Sequence, residues 1–371
     1  MRFSRGRKVA EKPWIITHLM KRIHDIFEET VSCKALVRAH EDVKRKKRKK
    51  NSRKIAAFEA DFDRNIQALH ESLMNGTWRM HPYRKMFRYE SGKLREIDYS
   101  PDWSDQIVQR AIGNTLGAAL NRTLINDTYA GIPGRGIKRA MRRMRRRVYD
   151  IPKDEPLYAY KCDMKKFYPS INHQILKEML IAKIKDRRML DLLFVIIDSY
   201  PGGVGLPIGN LMSPVFANFY LSGVDRLAKN LNLIYYRYND DIAVISTSKS
   251  ALRNFKDELH LLAEALCLRV KASEQIFPIT RFGVDIMGYV MKRSTVMVRR
   301  RIERRFRRNA LLFSRKHEPH GARSLSSQWG WLKITKTGIG LWKKAVGCDF
   351  ETFKKSNLKT KHKNAGANKH D

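Results

Sequence analysis

The sequence predicts an α+β fold built around an antiparallel sheet. Over residues 157–290, β-rich runs and helical segments mix without the regular strand–helix alternation that is typical of a parallel sheet. Two of these runs, residues 234–238 and 242–245, are separated by only three residues, so they predict a hairpin. Such short connections join antiparallel strands, whereas parallel strands need a long crossover.

The chain before this region predicts a basic N-terminal extension over residues 1–60. Seven consecutive basic residues at 44–50 cannot pack against an apolar surface. They favour a phosphate-binding arm, with a solvated flexible segment and a nuclear localisation signal as the alternatives. Residues 61–156 then predict a mixed region. Its expected elements are a helix over 58–79, a hairpin over 84–97, a helix over 102–120 and a basic helix over 138–147.

The sheet region itself begins with a strand over 157–163 that ends on an acid. Helices are expected over 172–198, 213–231 and 249–266, with a further strand pair over 268–290. The helical part at 172–204 is expected to be an insertion. Residues 291–345 carry 16 Lys and Arg against two acids and predict a basic helical region, followed by a polar tail over 346–371.

Net charge narrows the class of partner. The 371 residues contain 75 Lys and Arg and 37 Asp and Glu, which gives a net charge of +38. Such an excess points to a polyanionic partner, either nucleic acid or an anionic membrane surface. A hydrophobic content of 43% excludes a wholly disordered chain.

Other classes are excluded by what the chain lacks. The apolar run at 192–197 is far shorter than the ~20 residues that span a bilayer. The first residues contain no apolar segment of a secretory signal, so we expect a cytoplasmic protein without a membrane partner. The four cysteines contain no CxxC pair, which argues against a zinc ribbon or a disulfide framework.

Two separated strand ends carry the acids of interest, Asp163 and the pair Asp240 and Asp241. Carboxylates that converge on one point repel unless a divalent cation neutralises them. Oxygen-only ligands suit Mg²⁺ or Mn²⁺, and two such ions can drive phosphoryl displacement. An Asp-Asp pair alone is weak evidence, because Asp241 could equally be a solvated turn residue.

Five ordered motifs together resemble those of reverse transcriptases. Residues 161–171 resemble the first palm motif, 205–218 the second, and 238–241 the YxDD box. Residues 282–289 resemble the primer-grip hairpin, and 93–97 the basic fingers strand. The resemblance covers roughly residues 80–345. It implies a right-hand polymerase fold with fingers at 61–156, an antiparallel-sheet palm at 157–290 and a helical thumb at 291–345.

The resemblance also implies an RNA-directed DNA polymerase that uses two Mg²⁺ ions. It assigns the catalytic and metal-binding roles to Asp163, Asp240 and Asp241, with the backbone carbonyl of Met164 completing the metal shell. Tyr168 stands where this family has its steric gate against ribose. The remaining nucleotide contacts are expected from Lys93, Arg95, Ile208, Gly209 and Asn218, although Asn218 could instead support its helix.

Template and primer contacts are implied for a second group of residues. Tyr238, Gly288 and Tyr289 are expected at the primer, and Arg135 and Arg142 at the template. The partners are then an RNA template or a dedicated noncoding RNA, a DNA primer and product, and dNTPs. Trp329 and Trp331 could stack on bases, but a place in the thumb core is the alternative.

The branch of the family stays open. Pro207-Ile208-Gly209 resembles the enzymes of diversity-generating retroelements, whereas Ser213-Pro214 is similar to group II intron and retron enzymes. An anti-phage defence reverse transcriptase is therefore an alternative. Such an enzyme would make restricted or repetitive DNA with an accessory protein or a second reverse transcriptase. A non-catalytic RNA-binding scaffold and an RNA-templated RNA polymerase are further alternatives, and Tyr168 argues against the last.

Overall fold

The structure, a computed structural model, describes residues 22–46, 53–90 and 92–358. Most of the predicted basic run at 44–50 therefore lies outside the described residues, as does the tail beyond residue 358. The chain divides into two units. Unit 1 contains the described residues up to Gly136 together with Tyr160–Gln275, and unit 2 contains Ile137–Ala159 and the residues from Ile276 onward.

Unit 1 is mostly helical around a small sheet. Side-chain caps begin several of its helices: Asp102, Asn172, Asp186 and Ser248 each accept a hydrogen bond from a backbone N–H of the first turn. Its helices before the sheet are α1 (Phe27–Val31), α2 (Cys33–Lys46), α3 (Arg53–Glu59), α4 (Phe62–Met74), α5 (Trp103–Asn114) and α6 (Leu116–Thr123). Its later helices are α8 (Phe167–Ser170), α9 (His173–Lys183), α10 (Arg187–Asp198), α11 (Ser213–Tyr220), α12 (Ser222–Asn230) and α13 (Lys249–Ala265).

The strands of unit 1 form a hairpin and the central sheet. Strands β1 (Arg84–Glu90) and β2 (Lys93–Tyr99) pair antiparallel, as predicted. In the central sheet, β4 (Ile234–Tyr238), β5 (Asp241–Ser246) and β3 (Tyr158–Cys162) lie side by side in that order. The β4–β5 pair is antiparallel, with Tyr238 opposite Asp241. Tyr236, Ile242 and Val244 are fully buried, so both faces of this hairpin are covered.

Unit 2 combines one early helix with the C-terminal part of the chain. Its strands β7 (Val284–Ile286), β8 (Tyr289–Met291) and β9 (Val296–Val298) form an antiparallel sheet, and β6 (Gln275–Pro278) begins at the boundary between the units. Its helices are α7 (Ile137–Tyr149), α14 (Ile279–Phe282), α15 (Arg300–Lys316), α16 (Pro319–Leu332), α17 (Lys336–Val346) and α18 (Phe350–Leu358).

The core of unit 2 is aromatic. Trp342 is fully buried and stacks with Phe306 at 5.6 Å between ring centroids. Trp329 packs edge-on against Trp342 at 5.1 Å and stacks on Phe350 at 5.0 Å. These contacts account for Trp329 as part of the helical core, which was the alternative to base stacking.

The helix expected over 58–79 is observed as α4, which ends at Met74, and other predicted boundaries also differ from the observed ones. The helix expected over 102–120 is interrupted at Thr115, and the one expected over 213–231 at Leu221; neither residue has helical dihedral angles. The basic helix α7, expected in the fingers, belongs to unit 2, because Ala140, Met141, Met144 and Val148 give it a buried apolar face. No helix among the described residues is long and apolar enough to cross a membrane.

Candidate active site

Asp163 follows the last residue of β3, where an isolated bridge between Met164 and Val270 fixes the backbone. The N–H of Lys165 donates to Arg269 O at 2.8 Å, and the N–H of Lys271 donates to Asp163 O at 2.9 Å. These two bonds flank Met164 and do not involve its carbonyl. The geometry therefore holds Asp163 in place and is compatible with the predicted ligand role of the Met164 carbonyl.

Asp240 lies in the turn of the β4–β5 hairpin. Tyr238 and Asp241 close this turn as cross-strand partners, which leaves Asn239 and Asp240 as its two central residues. Asn239 has φ of 55°, a left-handed conformation that asparagine adopts more readily than most residues. The backbone of a two-residue hairpin therefore explains why an asparagine suits position 239.

Asp163 and Asp240 are neighbours in the site, and the charge of one affects the ionisation of the other. Burial, followed by the neighbouring carboxyl of Asp163, raises the pKa of Asp240 to about 7. Oδ1 of Asp163 is buried and has no hydrogen-bond partner within the described part of the chain. A buried, unsatisfied carboxylate oxygen beside a second carboxyl is costly, and a cation bound between them removes this cost.

Two lysines form ion pairs with the acids of the site. Nζ of Lys271 contacts Oδ2 of Asp163, and Nζ of Lys161 contacts Oδ1 of Asp241. Lys161 thus holds Asp241 at the start of β5, which fits the predicted supporting role of this third acid. The donor set of the site is oxygen only, as Mg²⁺ prefers, and the unsatisfied oxygen of Asp163 fits a divalent cation.

Another group of metal-type ligands lies elsewhere in unit 1. Among the described residues, His81, Asp102 and Asp105 bring three ligand atoms within 4.8 Å of one another. The ligand atoms of the predicted acids Asp163, Asp240 and Asp241 do not all lie this close together. Hydrogen bonds explain the His81 group without a metal: Asp102 caps α5, and Asp105 accepts from Ser100 Oγ at 2.6 Å.

Arg237 is the residue of this site that the sequence reasoning missed. It lies in β4, is fully buried, and makes two 2.6 Å bonds from Nε and Nη2 to the carboxylate of Asp225 on α12. Its Nη1 donates to the carbonyl of Asn239 at 3.1 Å. Arg237 therefore connects the buried ion pair to the turn that carries Asp240 and positions this turn.

A protein-family model matches the part of the chain that contains these acids. Residues 70–296 match the model described as reverse transcriptase (RNA-dependent DNA polymerase). The chain belongs to the reverse transcriptase family. The match covers the strand ends that carry Asp163 and Asp240, together with the β1–β2 hairpin.

Similarity to curated proteins is limited to part of their length. The chain is 23% identical over 185 residues to the group II intron-encoded protein LtrA of Lactococcus lactis subsp. cremoris, which covers 47% of this chain and 30% of that protein. It is 29% identical over 200 residues to an uncharacterized 91 kDa protein in the cob intron of Schizosaccharomyces pombe, covering 51% of this chain and 23% of that protein. The matched region is therefore less than a third of either relative.

Tyr168, the predicted gate of this reverse transcriptase, lies on α8 beside the acids. Burial, and then the charge of Asp240, raises the pKa of Tyr168 to about 12. The neighbouring Phe167 is buried in the core, whereas Tyr168 is half-buried. Tyr168 also accepts a backbone bond from Leu206 N at 2.9 Å, which ties α8 to the loop that carries Ile208 and Gly209.

Asn218 and Gly209 have contacts within the protein that differ from the predicted nucleotide contacts. Asn218 is buried; its Nδ2 donates to Ala130 O at 2.7 Å and its Oδ1 accepts from Arg237 at 3.1 Å. Both ends of the amide are used within the protein, which favours the supporting role that was the alternative for Asn218. At Gly209, with φ of 119°, a Cβ atom would lie 2.9 Å from Ile97 on β2. The glycine allows its loop to approach the hairpin closely.

The predicted triphosphate residues lie on β2, opposite β1. Arg95 is exposed and pairs across the strands with Arg88. The two arginines together place positive charge on this face of the hairpin. Lys93 belongs to the same strand, paired with Glu90, but its side chain lies outside what the structure describes. Ile208 is 38% exposed in its loop.

The predicted primer residues are divided between the units. Tyr238 is half-buried at the end of β4, next to the turn that carries Asp240. Tyr289 is fully buried in unit 2, where its hydroxyl donates to Trp331 O at 2.8 Å. A Cβ atom at Gly288 would lie 2.8 Å from Ile302, which indicates that this glycine permits close packing within unit 2.

The two predicted template arginines have different surroundings. Nη1 of Arg135 donates to the carbonyls of Ile125 and Thr128, so Arg135 fastens its own loop within unit 1. Arg142 is exposed on α7 of unit 2 and lines a groove there. Only Arg142 therefore has the exposure that a template contact needs.

Proposed function

We propose that this chain is an RNA-directed DNA polymerase that adds dNTPs to a primer 3′ end by two-metal phosphoryl transfer. The observation that carries the proposal is the juxtaposition of Asp163 and Asp240. One offers a buried, unsatisfied oxygen, and the other has a pKa raised to about 7 beside it. Both features match a site that is built for a divalent cation.

The residues of the site have separate tasks in this proposal. Asp163, Asp240 and the carbonyl of Met164 hold the cations, and Asp241 supports them through its place at the start of β5. When bound, Mg²⁺ supplies the Lewis acidity that activates the primer hydroxyl and stabilises the leaving oxygen. Arg237 holds the turn in place. This position matters, because displacement of a catalytic carboxylate by even 1 Å lowers the rate steeply.

Nucleotide selection is assigned to the neighbouring side chains. Arg95, facing Arg88 across the hairpin, provides the cationic site for the triphosphate, together with Lys93 of the same strand. The half-buried ring of Tyr168 lies next to Asp240 and excludes the 2′-hydroxyl of a ribonucleotide. Tyr168 therefore favours a DNA product over the RNA product of the alternative polymerase.

Primer extension with purified chain, Mg²⁺, an RNA template and labelled nucleotides tests this proposal. Asp163→Asn should lower incorporation by about a thousandfold or more, because it removes a cation ligand. Asp257→Asn, which changes an exposed acid on α13, is the matched control and should keep full activity. Tyr168→Ala should raise NTP use relative to dNTP use by roughly tenfold. Equal incorporation by wild type and Asp163→Asn would contradict the proposal.

The RNA template is proposed to be a dedicated noncoding or retroelement RNA. Ile208 favours synthesis with reduced fidelity, because an apolar residue in this loop cannot make the polar contact that checks a nascent pair. Ser213 Oγ donates to Pro207 O at 2.8 Å and holds the loop in place. Ile208→Gln should therefore lower the misincorporation rate several-fold, with Ile208→Val unchanged, as measured by sequencing the products. A higher error rate for Ile208→Gln would refute this role.

An anti-phage defence enzyme that makes restricted or repetitive DNA with a partner protein is the alternative form of the same activity. The same product sequences separate the two. A heterogeneous copy of a defined RNA supports the retroelement form, and a short repeated product supports the defence form.

A further inference from the structure

Unit 2 contains a groove that the proposed polymerase site does not use. Its volume is about 600 Å³, and one wall is a single face of α7. The other walls are the turn before β9 and the turn that leads into α17. Every wall belongs to unit 2, so the groove is defined without reference to the catalytic acids.

The groove is lined by basic residues and contains no acid. Lys138, Arg142, Arg145 and Arg146 come from α7, and Lys336 comes from the first turn of α17. All five are exposed. Concentrated positive charge with no carboxylate among the lining residues calls for an anion, and an extended row of charges calls for a polyanion.

The spacing of the row matches an extended strand. Lys138 and Tyr149 are the first and last lining residues of α7, eleven positions apart, and a helix rises 1.5 Å per residue. The wall is therefore about 16 Å long. That length is too great for one phosphate group and suits a short run of nucleotides.

The groove also offers apolar surface for bases. Met141, Val296 and Ile334 line it, and Tyr149 presents a ring that is 75% exposed at the end of α7. A basic track with an exposed aromatic ring is the pattern that binds single strands, whose unpaired bases can stack. A duplex hides its bases and is far too wide for a cavity of this volume. Ser294 and Thr295 add hydroxyl groups that can pair with a ribose 2′-OH.

We propose that this groove binds a single-stranded segment of RNA, with phosphates on the basic row and a base on Tyr149. The choice of RNA over other polyanions rests on the proposed function. The groove then anchors the RNA at a second point, independent of nucleotide addition.

Fluorescence anisotropy with the full chain and a labelled single-stranded RNA 12-mer tests the groove. The variant Arg145→Glu/Lys336→Glu should bind the RNA at least tenfold more weakly. The slope of log affinity against log salt concentration should decrease by the amount expected for about two lost phosphate contacts. Arg139→Glu/Arg143→Glu is the matched control: it makes the same charge change on α7, outside the groove. In about 0.3 M salt, where screening is short-ranged, the control should lose less than threefold.

Tyr149 provides a second variant that leaves the charge unchanged. Tyr149→Ala should weaken binding about tenfold, whereas Tyr149→Phe should keep it, because stacking needs only the ring. Thermal denaturation confirms that each variant folds. Equal losses in the groove and control variants, or full affinity of Tyr149→Ala, would overturn the proposal.

Two further readouts keep this inference separate from the polymerase. Asp163→Asn should retain full 12-mer affinity, and Arg145→Glu/Lys336→Glu should still extend a short preformed template–primer. If wild type does not polymerise but the groove variants lose RNA affinity, the RNA-binding role of the groove is supported and the proposed function is contradicted. If the groove variants keep RNA affinity but lose poly-glutamate binding, the groove belongs to an acidic protein partner and the RNA proposal is wrong.

Discussion

The turn that carries Asp240 in unit 1 and helix α7 of unit 2 both depend on arginine, but in opposite ways. Arg237 is fully buried, and its guanidinium bonds Asp225, Asn218 and the carbonyl of Asn239. The arginines of α7 that line the groove, such as Arg145, are exposed, and the helix buries only a narrow apolar face. The buried arginine fixes the position of the turn through directional hydrogen bonds, whereas the exposed arginines supply a high density of positive charge. A reaction centre requires fixed positions, and binding a flexible polyanion requires charge density.

Removing the buried arginine should have the largest effect. Arg237→Met leaves Asp225 charged and buried without its partner, so the free energy of unfolding should fall by about 3–5 kcal/mol. Arg237→Lys keeps the charge but loses the bidentate contact with Asp225. The free energy of unfolding should therefore still fall by more than half as much as in Arg237→Met. Urea denaturation measures both. The double variant Arg237→Met/Asp225→Leu should recover stability, and failure of Arg237→Met to destabilise would remove the contrast between the regions.

Asp240 should give a smaller, pH-dependent effect. Its pKa in the folded chain is raised to about 7 from the ordinary value of 3.8, so the folded state retains a proton that the unfolded state releases. Its contribution is therefore favourable at low pH and is lost as the pH rises from about 4 to 7, then stays constant.

Asp240→Asn removes this loss, so the variant should gain about 2 kcal/mol relative to wild type between pH 5 and pH 8, after allowance for solvent screening. Denaturation in the presence of a metal chelator measures the difference, with Asp257→Asn as the unaffected control. Adding Mg²⁺ at pH 8 should stabilise wild type and leave Asp240→Asn nearly unchanged. A stability difference that does not vary with pH would contradict this assignment.

The smallest effect is expected on α7. Arg145→Lys/Arg146→Lys preserves charge at exposed positions, so stability should change by less than about 0.5 kcal/mol. The salt dependence of RNA binding should also stay the same, because lysine neutralises phosphate as arginine does. A marked loss of RNA affinity would show that these arginines make geometrically defined contacts like that of Arg237, and the comparison would have to be abandoned.

Local patterns were sufficient to predict much of the strand pairing in unit 1. Alternation and turn residues predicted the β1–β2 and β4–β5 hairpins, and the acids at strand ends predicted where the carboxylates meet. Arg237 was missed because its partner Asp225 lies on a different element, and no local pattern reports that pairing. The available signal was a charge in the middle of the otherwise apolar and aromatic run at 234–238.

The primer and domain predictions depended on longer-range packing. A motif resemblance locates Tyr289 in the chain but does not indicate which way its ring turns, and in the structure it is buried against Trp331. The placement of α7 was obscured by its arginines, which outnumber the four buried apolar residues that join it to unit 2. Both outcomes depend on partners that are distant in sequence.

Unit 2 consists of two separate segments of the chain, and this has a consequence for synthesis on the ribosome. Helix α7 is made early, but the rest of its unit begins only at Ile276, roughly 130 residues later. At 5–20 residues per second, the apolar face of α7 waits about 6–25 s for its partners. During that interval the six arginines of α7 oppose association of its apolar face with other chains, because like charges repel. The charge of α7 thus has an effect before unit 2 is complete, in addition to the RNA binding proposed for its groove.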